Sequence, residues 1–340
     1  MKLLIITQKV DRNDPILGFF HRWIEEFARN CEYVTVICLY KGQFGLPANV
    51  KVLSLGKERG IGKLGYVSNF YRYVWLERNN YDSVFVHMNQ IYVLLGGLLW
   101  RLMGKKIVMW YAHGHTSFSL WVAEKLVDNI FSVSKESFTL KTNKLKIVGH
   151  GIDTNRFKTV RPNKVESYYN ICSLARISER KNQYIMIAVL SLLKRAGANV
   201  RLYLVGPVIT KADVIYKDKI NQLIVREELL TDVIFPGNIT QDELPSFLGN
   251  IDLLLNLSDT NSVDKEVLEA MSCGVNVLTS NIAFKDILPS ENLTSKVPEE
   301  VTKKILQLIS VGRSDHSNLR QIVEKSHNLQ NLIKKIVVAL

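Results

Sequence analysis

The sequence has no apolar stretch long enough to cross a bilayer. Its longest apolar run is Ile91–Trp100, which stops at Arg101, whereas a transmembrane helix needs about 20 residues. The opening MKLLIITQKVDRND soon becomes charged, and its apolar run is shorter than the roughly 7–15 residues of a secretory signal. We therefore expect a cytoplasmic chain and leave open peripheral contact with the inner membrane face.

Cysteines and metal-binding carboxylate pairs are also scarce. The four cysteines, Cys31, Cys38, Cys172 and Cys273, form no CxxC pair and no cluster with histidine, so we expect buried free thiols. The sequence also lacks a DxD triplet, the carboxylate pair that commonly holds a divalent metal on a nucleotide diphosphate. We therefore expect neither a metal nor a bound cofactor.

Acidic residues are outnumbered, because 44 Lys and Arg against 32 Asp and Glu give a formal net charge of +12. Residues 1–150 hold 20 basic and 11 acidic residues, a net +9, and residues 151–340 hold 24 and 21, a net +3. The basic first half favours an anionic partner, which could be membrane phospholipid, a phosphate-bearing substrate or nucleic acid.

Short β-branched runs alternate with longer amphipathic segments, an order that predicts parallel strands joined by crossover helices. We predict strands near 3–7, 33–39, 50–55, 83–87, 106–111, 129–133 and 145–149, and helices near 17–30, 64–79, 91–103 and 118–126. After the polar stretch 154–167 the pattern restarts and predicts a second doubly wound sheet.

We therefore expect an α/β protein with two doubly wound, Rossmann-like domains, at 1–155 and 156–320. A C-terminal helix at 321–340 could cross back to the first domain. Ligands of parallel α/β sheets bind outside the carboxyl ends of the strands. Two such domains are expected to bind their ligand in a shared crevice.

The stretch GIGKLG at 60–65 fits the dinucleotide fingerprint GxGxxG. A true fingerprint turns tightly from the first strand into a helix. This one follows the third predicted strand, so a flexible basic loop is favoured over a nicotinamide site.

The next stretch, KLGYVSNFYRYVWLERN at 63–79, interleaves basic and aromatic residues, as interfacial helices do. A sheet-covering helix with a solvated basic edge and a membrane-surface helix both remain open. We do not expect nucleic acid as a partner.

Several polar residues follow predicted strands, where ligands of such sheets bind. Arg176 and Lys181 lie in LARISERKNQ, just before a helix, where two cations suit a diphosphate, although plain surface charge remains an alternative. His113, in YAHGHTS, could be a general base, an orienting donor or an ordinary loop residue. Gly206, in VGPV, allows close backbone approach to a ligand.

The stretch SDTNSVDKEVLEAMSCGVNVLTS at 258–280 runs from a polar loop into a predicted helix and then an apolar strand. The loop places five polar residues just ahead of a second carboxylate, Glu269: Asp259, Asn261, Asp264, Lys265 and Glu266. Such a helix start is suited to holding a polar ligand.

Together these motifs resemble the retaining glycosyltransferases of the GT-B fold, the "glycosyl transferases group 1" or family 4 class. LARISERK is similar to the family's Arg and Lys five residues apart, and LEAMSCGVNVLTS to its EAMACGxPVV. VGHGIDTNRF, FPGNITQDELPSFLGNIDLLLNLS and WYAHGH are weaker matches. The resemblance covers most of the chain.

The resemblance implies a UDP- or GDP-sugar donor held mainly by the second domain, and a glycan or lipid-linked acceptor. Arg176 and Lys181 would bind the diphosphate and Glu269 the ribose. His113 would face the donor sugar and the acceptor. The remaining donor contacts would come from Gly18, Gly206 and the loop residues Asn261, Ser262, Val263, Asp264 and Lys265.

Two positions depart from the family pattern. The family has two glutamates with seven residues between them, and the first of these positions, counted back from Glu269, is Asn261. Asparagine keeps the hydrogen bonding of a glutamate but loses its negative charge. Val208 replaces the second glycine of the GxG that begins at Gly206. Either the sugar contact has moved within NSVDKE, with Asp264 the first candidate, or the site is impaired.

Three functional classes follow. The favoured one is a retaining, metal-independent glycosyltransferase of polysaccharide biosynthesis that acts at the cytoplasmic membrane face. The second is a degenerate subunit that binds a nucleotide sugar without turnover. The third is another enzyme on two such domains, for example a nucleotide-sugar epimerase.

Overall fold

The computed structural model describes residues 1–14, 16–158, 167–260, 262–312 and 317–340. The chain divides into two compact units. Unit 1 comprises Met1–Asp153 and His327–Leu340, and unit 2 comprises Thr154–Ser326. From the sequence we placed the boundaries at 155 and 320.

Unit 1 has a seven-stranded parallel sheet in the order β3-β2-β1-β4-β5-β6-β7. Its strands are β1 (Lys2–Val10), β2 (Tyr33–Lys41), β3 (Val50–Ser54), β4 (Ser83–His87), β5 (Lys106–Trp110), β6 (Asn129–Ser132) and β7 (Leu145–Ile147). The central strands are buried along nearly their whole length, as expected of a parallel sheet covered on both faces.

The helices of unit 1 are α1 (Phe19–Asn30), α2 (Lys63–Leu76), α3 (Ile91–Leu102), α4 (Phe118–Leu126) and, from the C-terminal part, α11 (Leu329–Ala339). Helices α2, α3 and α4 connect strands in one direction across the sheet and α1 in the other. Because such crossovers are right-handed, α2–α4 cover one face and α1 the opposite one. Helix α11 packs against α1.

Unit 2 has a five-stranded parallel sheet in the order β10-β9-β8-β11-β12. Its strands are β8 (Tyr169–Leu174), β9 (Val200–Val205), β10 (Val233–Gly237), β11 (Leu253–Asn256) and β12 (Asn276–Thr279). Its helices are α5 (Gln183–Arg195), α6 (Lys211–Arg226), α7 (Leu244–Leu248), α8 (Lys265–Ser272), α9 (Pro298–Val311) and α10 (Ser317–Ser326). Helix α9 packs on α5, and α10 packs on α8.

The predicted fold class, α/β with two doubly wound parallel sheets, is confirmed. The stretch GIGKLG forms the turn between β3 and α2 and the first residues of that helix, and Gly60 has a φ of 70°. Among the helices that the structure describes, none is both long and apolar enough to cross a bilayer.

Candidate functional site

The order of strands in unit 2 brings the two most informative motifs together. From β8 the chain moves to β9 and β10 on one side, and then returns to β11 and β12 on the other. The strand order therefore reverses between β8 and β11, the point at which doubly wound sheets bind ligands. LARISERK follows β8 and the loop at 257–264 follows β11, so both lie at this edge.

Lys181 is the residue where these two segments meet. Its Nζ donates to Asp264 Oδ1 at 2.8 Å and to Glu266 Oε1 at 3.2 Å. Burial alone would lower the pKa of Lys181, but the Glu266 and Asp264 carboxylates outweigh it and raise the pKa above its usual value. Lys181 is therefore a fixed cation at the strand edge.

Asp264 is buried and fully hydrogen-bonded. Its Oδ1 accepts from Lys181 and from Thr260 Oγ1 at 3.1 Å. Its Oδ2 accepts from Asn256 Nδ2 at 3.1 Å and Asn281 Nδ2 at 2.9 Å. Burial would raise the pKa of Asp264, but Lys181 and the amide donors lower it below its usual value.

This geometry argues against the sugar contact that we suggested for Asp264. A sugar hydroxyl would have to displace one of four donors that hold the loop and Lys181 in place. Asp264 acts instead as the anchor that joins the ends of β8, β11 and β12.

The sequence analysis named the Glu266 carboxylate in this loop but did not assign it a role in the site. Its side chain is 22% exposed and contacts Lys181. Burial raises the pKa of Glu266, although Lys181 opposes the shift. The only sequence signal was an acidic residue in the first turn of α8, which is ordinarily explained by the helix dipole.

Glu269 lies one turn further along α8 and is buried. It accepts a hydrogen bond from Lys265 Nζ, four residues earlier. The Lys265 ammonium also lies 5.7 Å from the centre of the Phe157 ring. A buried carboxylate held by one lysine can still accept a hydroxyl donor on its other oxygen.

Arg176 has the most accessible cation of the site, with a side chain 43% exposed. Its Nε lies 3.9 Å from Asp213 Oδ2. Asp213 forms the capping box of α6 with Thr210. Burial would raise the pKa of Asp213, but the Thr210 hydrogen bonds and the Arg176 charge lower it. Asp213 thus orients the Arg176 side chain, and the rest of the guanidinium is accessible to a ligand.

Gly206 follows β9, at a position where the structure leaves no room for a side chain. Its φ is 144°, and a Cβ there would lie 2.2 Å from the Ala175 carbonyl oxygen. The close approach that the sequence predicted is made, but to the turn after β8. Gly206 therefore lets the Arg176 turn pack against the end of β9.

The loop after β11 is hydrogen-bonded at both ends to neighbouring segments. Asn182, at φ 55°, donates to Leu257 O and to Asp259 Oδ2, each at 2.7 Å. Further on, the Ser262 carbonyl accepts from Asn281 Nδ2 at 2.8 Å, and Val263 is buried. Asn261 lies outside the described residues.

In unit 1, the predicted residues Gly18 and His113 follow strands β1 and β5, which are separated in the sheet by β4. Gly18 closes a turn after β1, where a Cβ would lie 2.5 Å from the Asp14 carbonyl oxygen. His113 follows β5, is exposed, and its ring lies edge-on to Tyr111 at 5.7 Å between ring centroids. Partial desolvation lowers the pKa of His113.

The fold is similar to those of several solved structures, which include HepE, sucrose-phosphate synthase and TarM. HepE of Anabaena, in complex with UDP, has a TM-score of 0.81 at 20% identity, over 99% of both chains. Sucrose-phosphate synthase from Thermosynechococcus elongatus gives 0.77 at 14% identity, over 99% of this chain and 97% of that one. TarM of S. aureus, in complex with fondaparinux, α-GlcNAc-glycerol and UDP, gives 0.76 at 12%, over 100% and 99%.

At these identities the likeness shows the GT-B fold and no substrate. A search of curated protein sequences returned no match. The sequence family "Glycosyl transferases group 1" matches residues 152–326, which include unit 2 with Arg176, Lys181 and Glu269. Because this match spans more than half of the chain, the protein belongs to the glycosyl transferases group 1 family.

Proposed function

We propose that the protein is a retaining, metal-independent glycosyltransferase that moves a hexose from a nucleotide diphosphate sugar to a lipid-linked or cell-surface glycan. The observation that carries this proposal is that Arg176 and Lys181 both follow β8 at the reversal point of the unit 2 sheet, where Lys181 contacts Asp264 in the loop before α8. HepE was solved with UDP-glucose, which makes UDP-sugars the first donors to test.

Arg176 and Lys181 are proposed to bind the donor diphosphate. Arg176 has an open guanidinium that can bind phosphate oxygens in bidentate fashion. Lys181 already contacts two carboxylates, of which Asp264 is held by three further donors and Glu266 is not. The diphosphate would therefore replace Glu266 on Lys181 and leave Asp264 in place.

The released Glu266 carboxylate is then a candidate for the sugar contact that the family places at the position of Asn261. It lies five residues further along the chain, in the first turn of α8. Glu269 would bind the ribose, and backbone amides of 262–265 would bind the phosphates. In unit 1, His113 remains the candidate for the contact with the acceptor, and the turn at Gly18 the candidate for contacts with the phosphates.

The proposed reaction needs no protein nucleophile. The bond between the anomeric carbon and the phosphate oxygen breaks, and a bond from the same carbon to the acceptor oxygen forms on the same face. The acceptor proton passes to the departing phosphate oxygen. Negative charge grows on the diphosphate during this step, so preorganised cations at Arg176 and Lys181 lower the barrier.

The test is transfer from UDP- and GDP-sugars to a panel of glycan and lipid-linked acceptors. We expect release of nucleoside diphosphate and, by NMR, a product with the anomeric configuration of the donor, in the presence of a metal chelator. An inverted product would exclude the retaining mechanism, and a strict need for a divalent metal would exclude metal independence.

A second candidate is a partner subunit that binds the donor without turnover. The observation in its favour is the double engagement of Lys181 by Asp264 and Glu266, together with the departures at Asn261 and Val208. Stabilisation by a nucleotide sugar in thermal unfolding, combined with no transfer across the whole acceptor panel, would favour this candidate.

A further inference from the structure

The helix layer α2–α4 of unit 1 exposes large apolar side chains along its outer face. We call this set the outer stripe: Leu64, Tyr71, Trp75, Ile91, Leu98, Leu102, Phe118 and Trp121. Leu64 is 89% exposed, Leu102 86% and Phe118 79%. Monomeric soluble proteins rarely leave a continuous apolar patch of this kind uncovered.

The outer stripe follows the period of the helices. On α2 its members are spaced seven and then four residues apart, and α3 repeats the same spacing, which puts them on one face of each helix. The opposite faces of these helices bury Phe70 and Trp100 against the sheet. These helices therefore have two apolar faces, of which the sheet covers only one.

Adjacent helices of the layer are in direct contact, which places the three parts of the outer stripe side by side. The Tyr71 hydroxyl on α2 donates to the Leu95 carbonyl on α3 at 2.9 Å. Arg101 Nε on α3 donates to the Leu126 carbonyl on α4 at 2.8 Å. On α4, the Phe118 and Trp121 rings stack with their centroids 5.8 Å apart.

The exposed charged side chains within helices α2–α4 are all basic, although Arg101 also contacts Asp128 at 3.4 Å and Lys125 contacts Glu124 at 3.0 Å. Helices α2, α3 and α4 are described throughout, and their exposed charged side chains are Lys63, Arg72, Arg101 and Lys125. The single acid within these helices, Glu124, is buried and accepts from Thr142 at 2.8 Å. Cations also border the aromatic rings. Lys125 lies 5.7 Å from the Trp121 ring, and Arg78 lies 4.5 Å from the Trp75 ring.

We propose that the outer stripe docks onto an anionic lipid bilayer, with its apolar side chains in the headgroup and acyl boundary and the exposed basic side chains of α2–α4 at the phosphates. Helices with aromatic and aliphatic residues on one face and Lys or Arg at its edge bind in this way. A second copy of the chain fits less well, because it would bring cations against cations. Nucleic acid would contact the basic side chains but would leave the apolar side chains of Leu64 and Leu102 exposed to solvent.

Docking of the outer stripe would also bring the membrane close to His113, the residue proposed to contact the acceptor. Phe118 is the first residue of α4 and lies five residues after His113. A fully extended chain of that length spans at most about 18 Å. A lipid-linked acceptor held in the docked bilayer would therefore start near His113. This last step rests on the proposed function, whereas the docking surface does not.

The test is flotation of the full chain with vesicles of phosphatidylcholine alone or mixed equally with phosphatidylglycerol, at low and high salt. We expect binding to the mixed vesicles at low salt and at least about tenfold weaker binding for Leu98→Ser/Leu102→Ser. The matched control is Val338→Ser, an equally exposed apolar residue on α11, across the sheet. Arg72→Gln/Lys125→Gln should weaken binding, and Lys334→Gln/Lys335→Gln on α11 should weaken it less.

Absence of binding at low salt, or equal loss in stripe and control variants, would overturn the proposal. So would light scattering that shows a dimer which Leu98→Ser/Leu102→Ser dissociates. Each variant is checked for a wild-type unfolding midpoint, so misfolding cannot imitate loss of docking. Donor binding is measured on the same samples, and because it does not depend on vesicles, failure of docking and failure of the proposed function are separable.

Discussion

Lys181→Met is expected to lower kcat/KM for sugar transfer by about 10²–10³-fold, the usual cost of removing one preorganised group that stabilises transition-state charge. The variant removes the cation at the reversal point of the unit 2 sheet and leaves Asp264 and Glu266 facing the diphosphate. Two carboxylates without their cation would repel the leaving group. Steady-state transfer kinetics with a single donor and acceptor measure the effect.

The matched control is Lys194→Met. Lys194 also belongs to unit 2 and is paired with a largely buried aspartate, since its Nζ lies 2.8 Å from Asp232 Oδ1. It lies in the last turn of α5, at the other end of that helix from Lys181. Equal losses of kcat/KM in the two variants would show that Lys181 matters only through stability.

Asp264→Ala is expected to destabilise unit 2 by about 3–5 kcal/mol, which is the range for removing one partner of a buried charged network. The substitution leaves the amides of Asn256 and Asn281 and the Thr260 hydroxyl without their acceptor. Each unsatisfied buried donor costs about 1–3 kcal/mol. Denaturant unfolding followed by fluorescence and circular dichroism measures the change.

The control is Asp242→Ala, which breaks a second aspartate ion pair of unit 2. Asp242 contacts Arg156 at 2.5 Å, but its side chain is 86% exposed, so its loss should cost about 0–1 kcal/mol. Glu266→Gln provides the complementary comparison, because it should change stability little and donor-sugar preference more. A stability loss for Asp264→Ala no larger than for Asp242→Ala would contradict the anchor role.

The strands and the cations at their ends were predictable because they depend on local sequence. The run SVFVH predicts β4 at its observed bounds, since a short β-branched segment between polar residues is typical of a buried parallel strand. The positions of Arg176 and Lys181 were predicted by the same reasoning, because residues just after a parallel strand lie at the edge where such sheets bind ligands. Their role in donor binding stays a prediction.

The anchor network was not predictable because its members are far apart in the chain. Asn256, Asp264 and Asn281 meet only after β11 and β12 pair, and nothing in the local sequence marks either asparagine as a partner of Asp264. The close contact of Gly206 with the Ala175 carbonyl oxygen was hidden for the same reason, since Ala175 follows a different strand. The exposure of Leu98 could not be predicted either, because the continuous apolar run Ile91–Trp100 contains no polar residue that would mark an exposed face.

The measurement that tests the central claim most directly is calorimetric binding of a nucleoside and of its mono- and diphosphate to the wild type and to Arg176→Ala. We predict that affinity rises with each phosphate in the wild type, and that Arg176→Ala loses at least about tenfold for the diphosphate and little for the nucleoside. Arg195→Ala, which removes an exposed arginine of α5, should behave as wild type. Equal diphosphate affinity in wild type and Arg176→Ala, for both uridine and guanosine series, would contradict the account.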